Sequence, residues 1–283
     1  MPTLFVVSAT PLAGKTTIAA GLASKLAAQR VHCTLQRMGE DASAAADTAL
    51  FAKLSSGGEV HITEAPSGEM LAGGEGRVVY VATPSEDPKG IAGSPSLAGV
   101  IVNRVAPRKV ETVRAAYEAA GVQLLGVVVE DRLLASPTIG QVAEALAAEG
   151  ENIAQSRDVP LDRPVIASIA ADPGQTYFVR TDATAVIVRS DKPDLQLAAL
   201  NAGATCLIVT GGYPVLSYVL ERVADDEVPL MRTKLDTKET IQAIEGLFDA
   251  KPFSGGEAKL RRIEELLGEV NVDLLVERSA PKA

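Results

Sequence analysis

The sequence predicts an α/β protein: a mostly parallel sheet with flanking helices, followed by a second, smaller α/β domain. Short β-rich runs alternate with longer helical patterns from the start, which is the pattern of βαβ units. The first such run passes directly into a small-residue loop that opens a helix. A polar stretch near the middle, Glu149–Arg163, with Pro160 and Pro164 at its end, reads as a linker before a second series of strands.

The first strand is Leu4–Val7, and Ala9-Thr10-Pro11-Leu12-Ala13-Gly14-Lys15-Thr16 follows it. This run keeps the spacing G-x-x-x-x-G-K-[ST] except at the first glycine, where Ala9 stands with Ser8 before it. In such a loop, backbone N–H groups and the positive end of the helix dipole converge on phosphate oxygens. The fold expected of the first half is therefore P-loop NTPase-type. Lys15 is the expected catalytic charge on the outer phosphates, and the Thr16 hydroxyl the expected magnesium ligand. Ser8, Ala9, Thr10, Ala13, Gly14 and Thr17 complete the expected nucleotide-binding loop. Neither Ala9 nor Ser8 has the freedom of glycine at positive φ. The alternative is a structural strand-to-helix turn with a solvated lysine.

The helix Thr16–Gln29 comes next, then strand Val31–Leu35, helix Ala44–Leu54, and strands Val60–Thr63, Val78–Ala82 and Gly99–Val102. Helix Lys109–Ala120, strand Leu124–Val129 and helix Ile139–Ala148 close the first series. Right-handed crossovers gather the ligand loops at the carboxyl ends of the strands. In the second series the expected strands are Val165–Ile169, Ala185–Val188, Cys206–Val209 and Leu230–Arg232. Helices fall at Asp194–Asn201, Val215–Val223 and Thr237–Phe248. Asn201-Ala202-Gly203 is a helix stop, and Gly211-Gly212 ends a strand where the backbone needs freedom. In Ala258–Val270, Leu260, Ile263, Leu266 and Leu267 share one face, expected to pack on the second domain or on another subunit. The resulting division is a nucleotide-binding domain over 1–157, a second domain over 158–250 and a C-terminal helical extension over 251–283.

Composition narrows the function classes. A chain of 283 residues can bury two proper cores, and 47% apolar against 22% charged residues excludes a disordered chain. A net charge of −9 without a dense Lys/Arg block argues against nucleic-acid binding. No apolar run approaches the roughly 20 residues that span a bilayer, and no secretory leader is expected. Cys33 and Cys206 read as buried free thiols, in keeping with a cytoplasmic protein. His32 and His61 are too few for a zinc site or a Ser-His-Asp triad, and His61 reads as a packed strand residue.

Acidic residues at later strand ends would complete a magnesium site. Glu64 ends its strand and precedes Ala65-Pro66-Ser67-Gly68, a loop suited to close ligand approach, while Asp47 lies among small residues. Each could ligate magnesium directly or through water, or else cap a helix. The Asn103 amide could read a donor and an acceptor on a purine edge, or form a turn. Tyr177 and Phe178 could line a pocket in the second domain, with core packing as the alternative.

Ser8 through Thr17, Glu64-Ala65-Pro66-Ser67-Gly68 and Gly99-Val100-Ile101-Val102-Asn103-Arg104-Val105 resemble the signatures of the dethiobiotin synthetase and cobyrinic acid a,c-diamide synthase group, over residues 1 to about 157. The resemblance implies ATP phosphates and magnesium at Lys15 and Thr16, metal-holding carboxylates at Asp47 and Glu64, and adenine contact by Asn103. The second half resembles the DRTGG domain through Glu130-Asp131-Arg132-Leu133-Leu134, Asp191, Leu195–Leu200, Gly203-Ala204, Val209-Thr210-Gly211-Gly212 and Asp236-Thr237. The two-part arrangement looks like the front portion of long bacterial phosphate acetyltransferases. Departures restrict the substrate chemistry. Pro11 and Leu12 replace a Thr/Glu-rich loop, and Gln36-Arg37-Met38-Gly39 replaces a Lys-Pro pair. The glycine-rich substrate loop has become Ala65-Pro66-Ser67-Gly68. Thr10 stands where dimeric partition ATPases keep a signature lysine.

The expected protein is a nucleotide-responsive regulatory or interaction module that binds ATP and Mg2+. Its DRTGG domain is expected to couple that state to homo-oligomerisation or to a metabolic enzyme partner. The alternative is an ATP-dependent ligase or synthase that activates a small carboxylate. A scaffold that has lost nucleotide binding is the third reading.

Overall fold

The computed structural model describes residues 3–41, 43–58, 60–66, 76–91, 96–167, 174–181, 185–250, 253–254, 256–272 and 275. The chain forms two compact units, one of Met1–Leu134 with Pro252–Ala283 and the other of Ala135–Lys251.

The first unit begins with β1 (Thr3–Val7), α1 (Lys15–Ala28), β2 (Cys33–Arg37), α2 (Ala44–Leu54) and β3 (Val60–Glu64). It continues with β4 (Arg77–Ala82), β5 (Leu97–Val105), α3 (Val110–Ala119), β6 (Leu124–Val129) and a single turn, α4 (Arg132–Ala135). The six strands are parallel throughout and ordered β2-β3-β1-β4-β5-β6. Of these, β1, β4, β5 and β6 carry the apolar runs expected of strands covered on both faces. Val6, Ile62, Val79 and Ile101 pack beneath Ile18 and Leu22 of α1. The alternate residues Val7, Val78, Tyr80 and Val100 face Tyr117 of α3. Strand β2 starts two residues later than its hydrophobic pattern predicts. Arg30 takes φ 61° and the Val31 N–H still bonds Leu26 O, so the helix exit turn consumes Val31.

The second unit carries α5 (Ile139–Ala145), β7 (Glu149–Glu151), β8 (Pro164–Ile166), α6 (Gly174–Thr181) and β9 (Ala185–Arg189). Then come α7 (Pro193–Asn201), β10 (Leu207–Thr210), α8 (Ser217–Asp225), β11 (Leu230–Arg232) and α9 (Thr237–Ala250). Its sheet order is β7-β11-β10-β9-β8, parallel except for β7. Val186, Val188, Leu207, Val209 and Leu230 face α6, α7 and α8, whereas Ile187, Cys206, Ile208 and Met231 face α5 and α9.

Two expectations about organisation are corrected. Glu149–Arg163 is not simply a linker, because β7 pairs antiparallel with β11. The expected boundary at 157 falls inside the second unit, since Ile139, Val142 and Leu146 of α5 are buried with Ile244 and Leu247 of α9. A capping box fixes the start of α5: the Thr138 N–H donates to Gln141 Oε1 at 3.0 Å while Gln141 N donates to Thr138 Oγ1.

The C-terminal segment is not a separate extension. Its helix α10 (Glu257–Leu266) lies on α1, and Ile263 and Leu267 fill the first unit's core. A Cβ on Gly21 would stand 2.6 Å from Leu267 Cδ1 and 2.7 Å from Ile263 Cγ1, so the missing side chain makes room for α10. Lys25 Nζ donates to the carbonyls of Leu267, Gly268 and Val270 at 2.6, 2.9 and 2.7 Å, placing a cation at the helix C-terminus. The apolar face expected to seek the second domain or another subunit is thus spent inside the first unit.

Candidate functional site

The loop between β1 and α1 has the geometry of an anion cradle. Its left-handed residues are Leu12 (φ 59°) and Gly14 (φ 94°), and Ala9 is not among the positive-φ positions. Alanine therefore satisfies the place where the spacing asks for glycine. Glycine is required at 14, where φ is left-handed and the Asn103 amide crowds the position a Cβ would take. Lys15 opens α1 and is only 8% exposed, with Nζ donating to Ser8 Oγ at 3.2 Å. Ser8 in turn donates to Thr10 O at 2.8 Å. Burial lowers the Lys15 pKa, opposed by the charge of Glu64. Thr16 and Thr17 lie in the first turn of α1.

Parallel pairing carries the acidic groups to the same end of the sheet. Glu64 is in register with Val6 of β1 and with Arg37 of β2. Asp47 comes from the first turn of α2. Both carboxylates are buried, at 1% exposure for Asp47 and 4% for Glu64, and the Thr16 hydroxyl acts on both, lowering the pKa of each. Burial raises the pKa of each, outweighing Ser43 and Arg37 at Asp47 and Thr16 at Glu64. Asp47 Oδ1 and Glu64 Oε2 are buried without a hydrogen-bond partner. Two carboxylate oxygens and a hydroxyl suit a hard divalent cation whose remaining ligands are phosphate oxygens and water. Among the described residues no group of three or more His, Cys, Asp and Glu is arranged to hold a metal. The residues present fit magnesium bound jointly with phosphate.

Asn103 occupies a different setting from the one its strand-end position implies. It is 6% exposed, with Nδ2 donating to Ala13 O at 2.8 Å and Oδ1 accepting from Arg104 N at 3.0 Å. The β5–β6 register shifts between Val102 and Val105, and Arg104 takes φ 58°. Such a bulge re-aims a side chain, and here the side chain ties the β1–α1 loop at Ala13 to β5.

Sequence reasoning missed two pairs, Arg37 with Asp41 and Tyr80 with Glu86. Arg37, at the end of β2, pairs with Asp47 and Asp41, and its Nη1 donates to Ser43 Oγ at 2.8 Å. A buried cation thus already sits on the carboxylate proposed for the metal. A charged residue ending a half-buried strand at the phosphate-loop edge was the available signal. Tyr80 and Glu86 form the second pair, with the Tyr80 hydroxyl accepting from Ala9 N at 3.1 Å and donating to Glu86 Oε2 at 2.7 Å. The strand pattern presents Tyr80 as a core aromatic, so nothing local marked it. Ser67 and Gly68 of the expected substrate loop lie outside the described residues.

The two cysteines are buried free thiols, as expected. Tyr177 and Phe178 meet edge-to-face with centroids 5.6 Å apart and join the second unit's core. Among the described residues, no helix is long and apolar enough to cross a membrane.

The family model of the DRTGG domain matches residues 141–247. The match begins in α5, ahead of the expected start at 158, and so includes β7. Among solved structures, the chain is similar to the CBS and DRTGG domains of the regulatory region of Clostridium perfringens pyrophosphatase, a structure described as complexed with the activator diadenosine tetraphosphate. That likeness has a TM-score of 0.33 and 13% identity over 71% of this chain and 78% of that one. A second similarity is to the MinC:MinD cell division protein complex of Aquifex aeolicus, with a TM-score of 0.35 and 15% identity over 47% of this chain and 83% of that one.

Proposed function

We propose that the first unit binds ATP with Mg2+ and that the protein is a nucleotide-responsive regulatory module. The single observation that carries this reading is the pair of partnerless buried oxygens, Asp47 Oδ1 and Glu64 Oε2, beside the Thr16 hydroxyl and Lys15. Burying such groups without a ligand costs free energy, and a bound cation offsets it. In this reading the loop N–H groups and Lys15 hold the outer phosphates. Thr16, Asp47 and Glu64 hold the metal, directly or through water. Magnesium would neutralise charge on the phosphate oxygens. Asn103 fixes Ala13, and Tyr80 fixes Ala9, so the cradle is shaped before ligand arrives. Kinship of the first unit with the dethiobiotin synthetase group is part of this proposal, supported by the quoted motifs, as is a cytoplasmic location.

Regulation requires that ATP–Mg2+ favour one of two states of the molecule. The DRTGG-type second unit is the element proposed to report that state, to a second copy of the chain or to a metabolic enzyme. Equilibrium dialysis of the full chain against ATP, with and without Mg2+, tests the binding. A Mg2+-dependent part of the retention that falls at least tenfold in Lys15→Ala is expected, since a charge-assisted bond contributes about 1.5–3 kcal/mol. Retention that is the same with and without Mg2+, and the same in Lys15→Ala, overturns the reading. Sedimentation velocity or partner capture that does not change with saturating ATP–Mg2+ overturns the regulatory part alone.

A further inference from the structure

The second unit holds a cavity of about 660 Å³ at the carboxyl ends of β9, β10 and β11, within the range of small-ligand pockets. Its position follows from chain topology. Strands β8, β9, β10 and β11 lie side by side in sequence order, and the helices after β8, β9 and β10 cover one face. After β11 the chain crosses to the opposite face, where α9 packs with α5. The connections leaving β10 and β11 therefore diverge, and a crevice opens between them. In open α/β sheets such a crevice is where ligands bind.

The lip of the cavity is held in place before any ligand arrives. Gln196 is fully buried on α7, and its Nε2 donates to Arg189 O at 3.0 Å and to Ser190 O at 3.3 Å, fixing the exit from β9. After β10, Gly211 and Gly212 both adopt positive φ and donate to Leu235 O and Thr233 O at 2.9 and 3.1 Å. The Thr210 and Thr237 hydroxyls meet at 3.0 Å across the crevice.

The charges in the lining are mostly committed. Arg189 makes a two-point pair with Asp191 at 2.9 and 2.6 Å. Asp236 Oδ1 accepts from Glu239 N at 2.8 Å, and Glu239 Oε2 accepts from Asp236 N, a capping box at the start of α9. Lys238, in the first turn of α9, lines the cavity, is exposed and has no ion pair among the described residues. Across from it Tyr213 presents its ring to solvent at 70% exposure. An uncommitted cation and hydroxyls recognise a phosphoryl group, and an open aromatic face stacks a planar base.

We propose that this crevice is a second ligand site, which takes a nucleoside phosphate with its phosphoryl group at Lys238 and the Thr210–Thr237 hydroxyl pair and its base on Tyr213. The site is distinct in residues and chemistry from the magnesium site of the first unit. The test uses the full chain carrying Lys15→Ala, in chelator, so that Mg2+-dependent binding by the first unit does not contribute. Equilibrium dialysis against AMP, ADP, ATP and GTP is expected to retain one nucleotide per chain. Lys238→Ala and Tyr213→Ala, both at exposed positions, are each expected to weaken retention at least tenfold with an unchanged thermal midpoint. No retention in the Lys15→Ala chain overturns the proposal and leaves the first-unit reading untouched. Retention that neither second-unit substitution alters also overturns it. Inorganic pyrophosphate binding as tightly as the nucleotides overturns the role of Tyr213.

Discussion

The backbone N–H of Ala9 donates to the phenolic oxygen of Tyr80, one strand away on β4. Tyr80 in turn donates to Glu86, whose other oxygen accepts from Thr83 N at 2.9 Å and Thr83 Oγ1 at 3.0 Å. Burial, and then Glu86, hold the phenol pKa well above its usual range, so the hydroxyl stays a donor. The start of the phosphate loop is thereby tied to the sheet.

Tyr80→Phe removes that tie while keeping the ring in the core. The expected loss is about 1 kcal/mol, near the net worth of one hydrogen bond, read as a lower urea midpoint. ATP retention is expected to weaken less than in Lys15→Ala. An unchanged midpoint would show that the tie adds nothing.

Asp47 and Glu64 give the metal-free protein a pH dependence of known sign. Burial raises both pKa values, so the folded chain binds their protons more tightly than the unfolded chain does. Their contribution to stability is full below the unfolded values, about 4, and is lost as pH rises through the folded values. Magnesium needs the ionised forms, so its stabilising effect grows over the same interval. The measurement is the urea midpoint of the wild type minus that of Asp47→Asn/Glu64→Gln, from about pH 5 to about pH 8, in chelator and in Mg2+, each with saturating ATP. The difference is expected to fall with pH in chelator and to rise with pH in Mg2+. Parallel lines in the two conditions would remove the metal from the site.

Gly21 carries a packing prediction. Gly21→Ala gains up to about 1 kcal/mol of helix propensity but meets Ile263 and Leu267, and overpacking costs about 1–3 kcal/mol. A net loss is expected, larger in Gly21→Leu. Limited proteolysis should then cut faster within 253–272, a change absent if α10 packs elsewhere.

Both thiols are expected to be silent in the native protein. Burial pushes Cys206 up to about 12 and raises Cys33 as well, so neither forms the reactive thiolate at neutral pH. Iodoacetamide should label each cysteine only after denaturant is added. Native-state labelling would place a thiol at the surface.

The parallel sheets and the strand–loop–helix at Gly14-Lys15-Thr16 were legible because Val/Ile runs and that spacing are local signals. Asp47 and Glu64 were legible as acidic residues near strand or helix ends. Arg37 and Tyr80 were not, because their roles depend on which strands become neighbours, and strand order is not written in any one segment. The place of α10 was hidden for the same reason. Its apolar face is plain in the sequence, but its partner, the gap at Gly21, lies far up the chain. Glu149–Glu151 read as linker because an exposed edge strand of three residues shows no hydrophobic alternation.

The stitching of Lys25 to the carbonyls beyond α10 has a consequence for synthesis. Domains generally fold as units while the chain emerges from the ribosome. The inserted body, Ala135–Lys251, has all its parts once its own last helix is out. The body that begins the chain does not, since Ile18 and Leu22 await Ile263 and Leu267. The first unit would thus mature after the body inserted in it, leaving the loop ahead of α1 on an unfinished support until Ile263 and Leu267 have emerged.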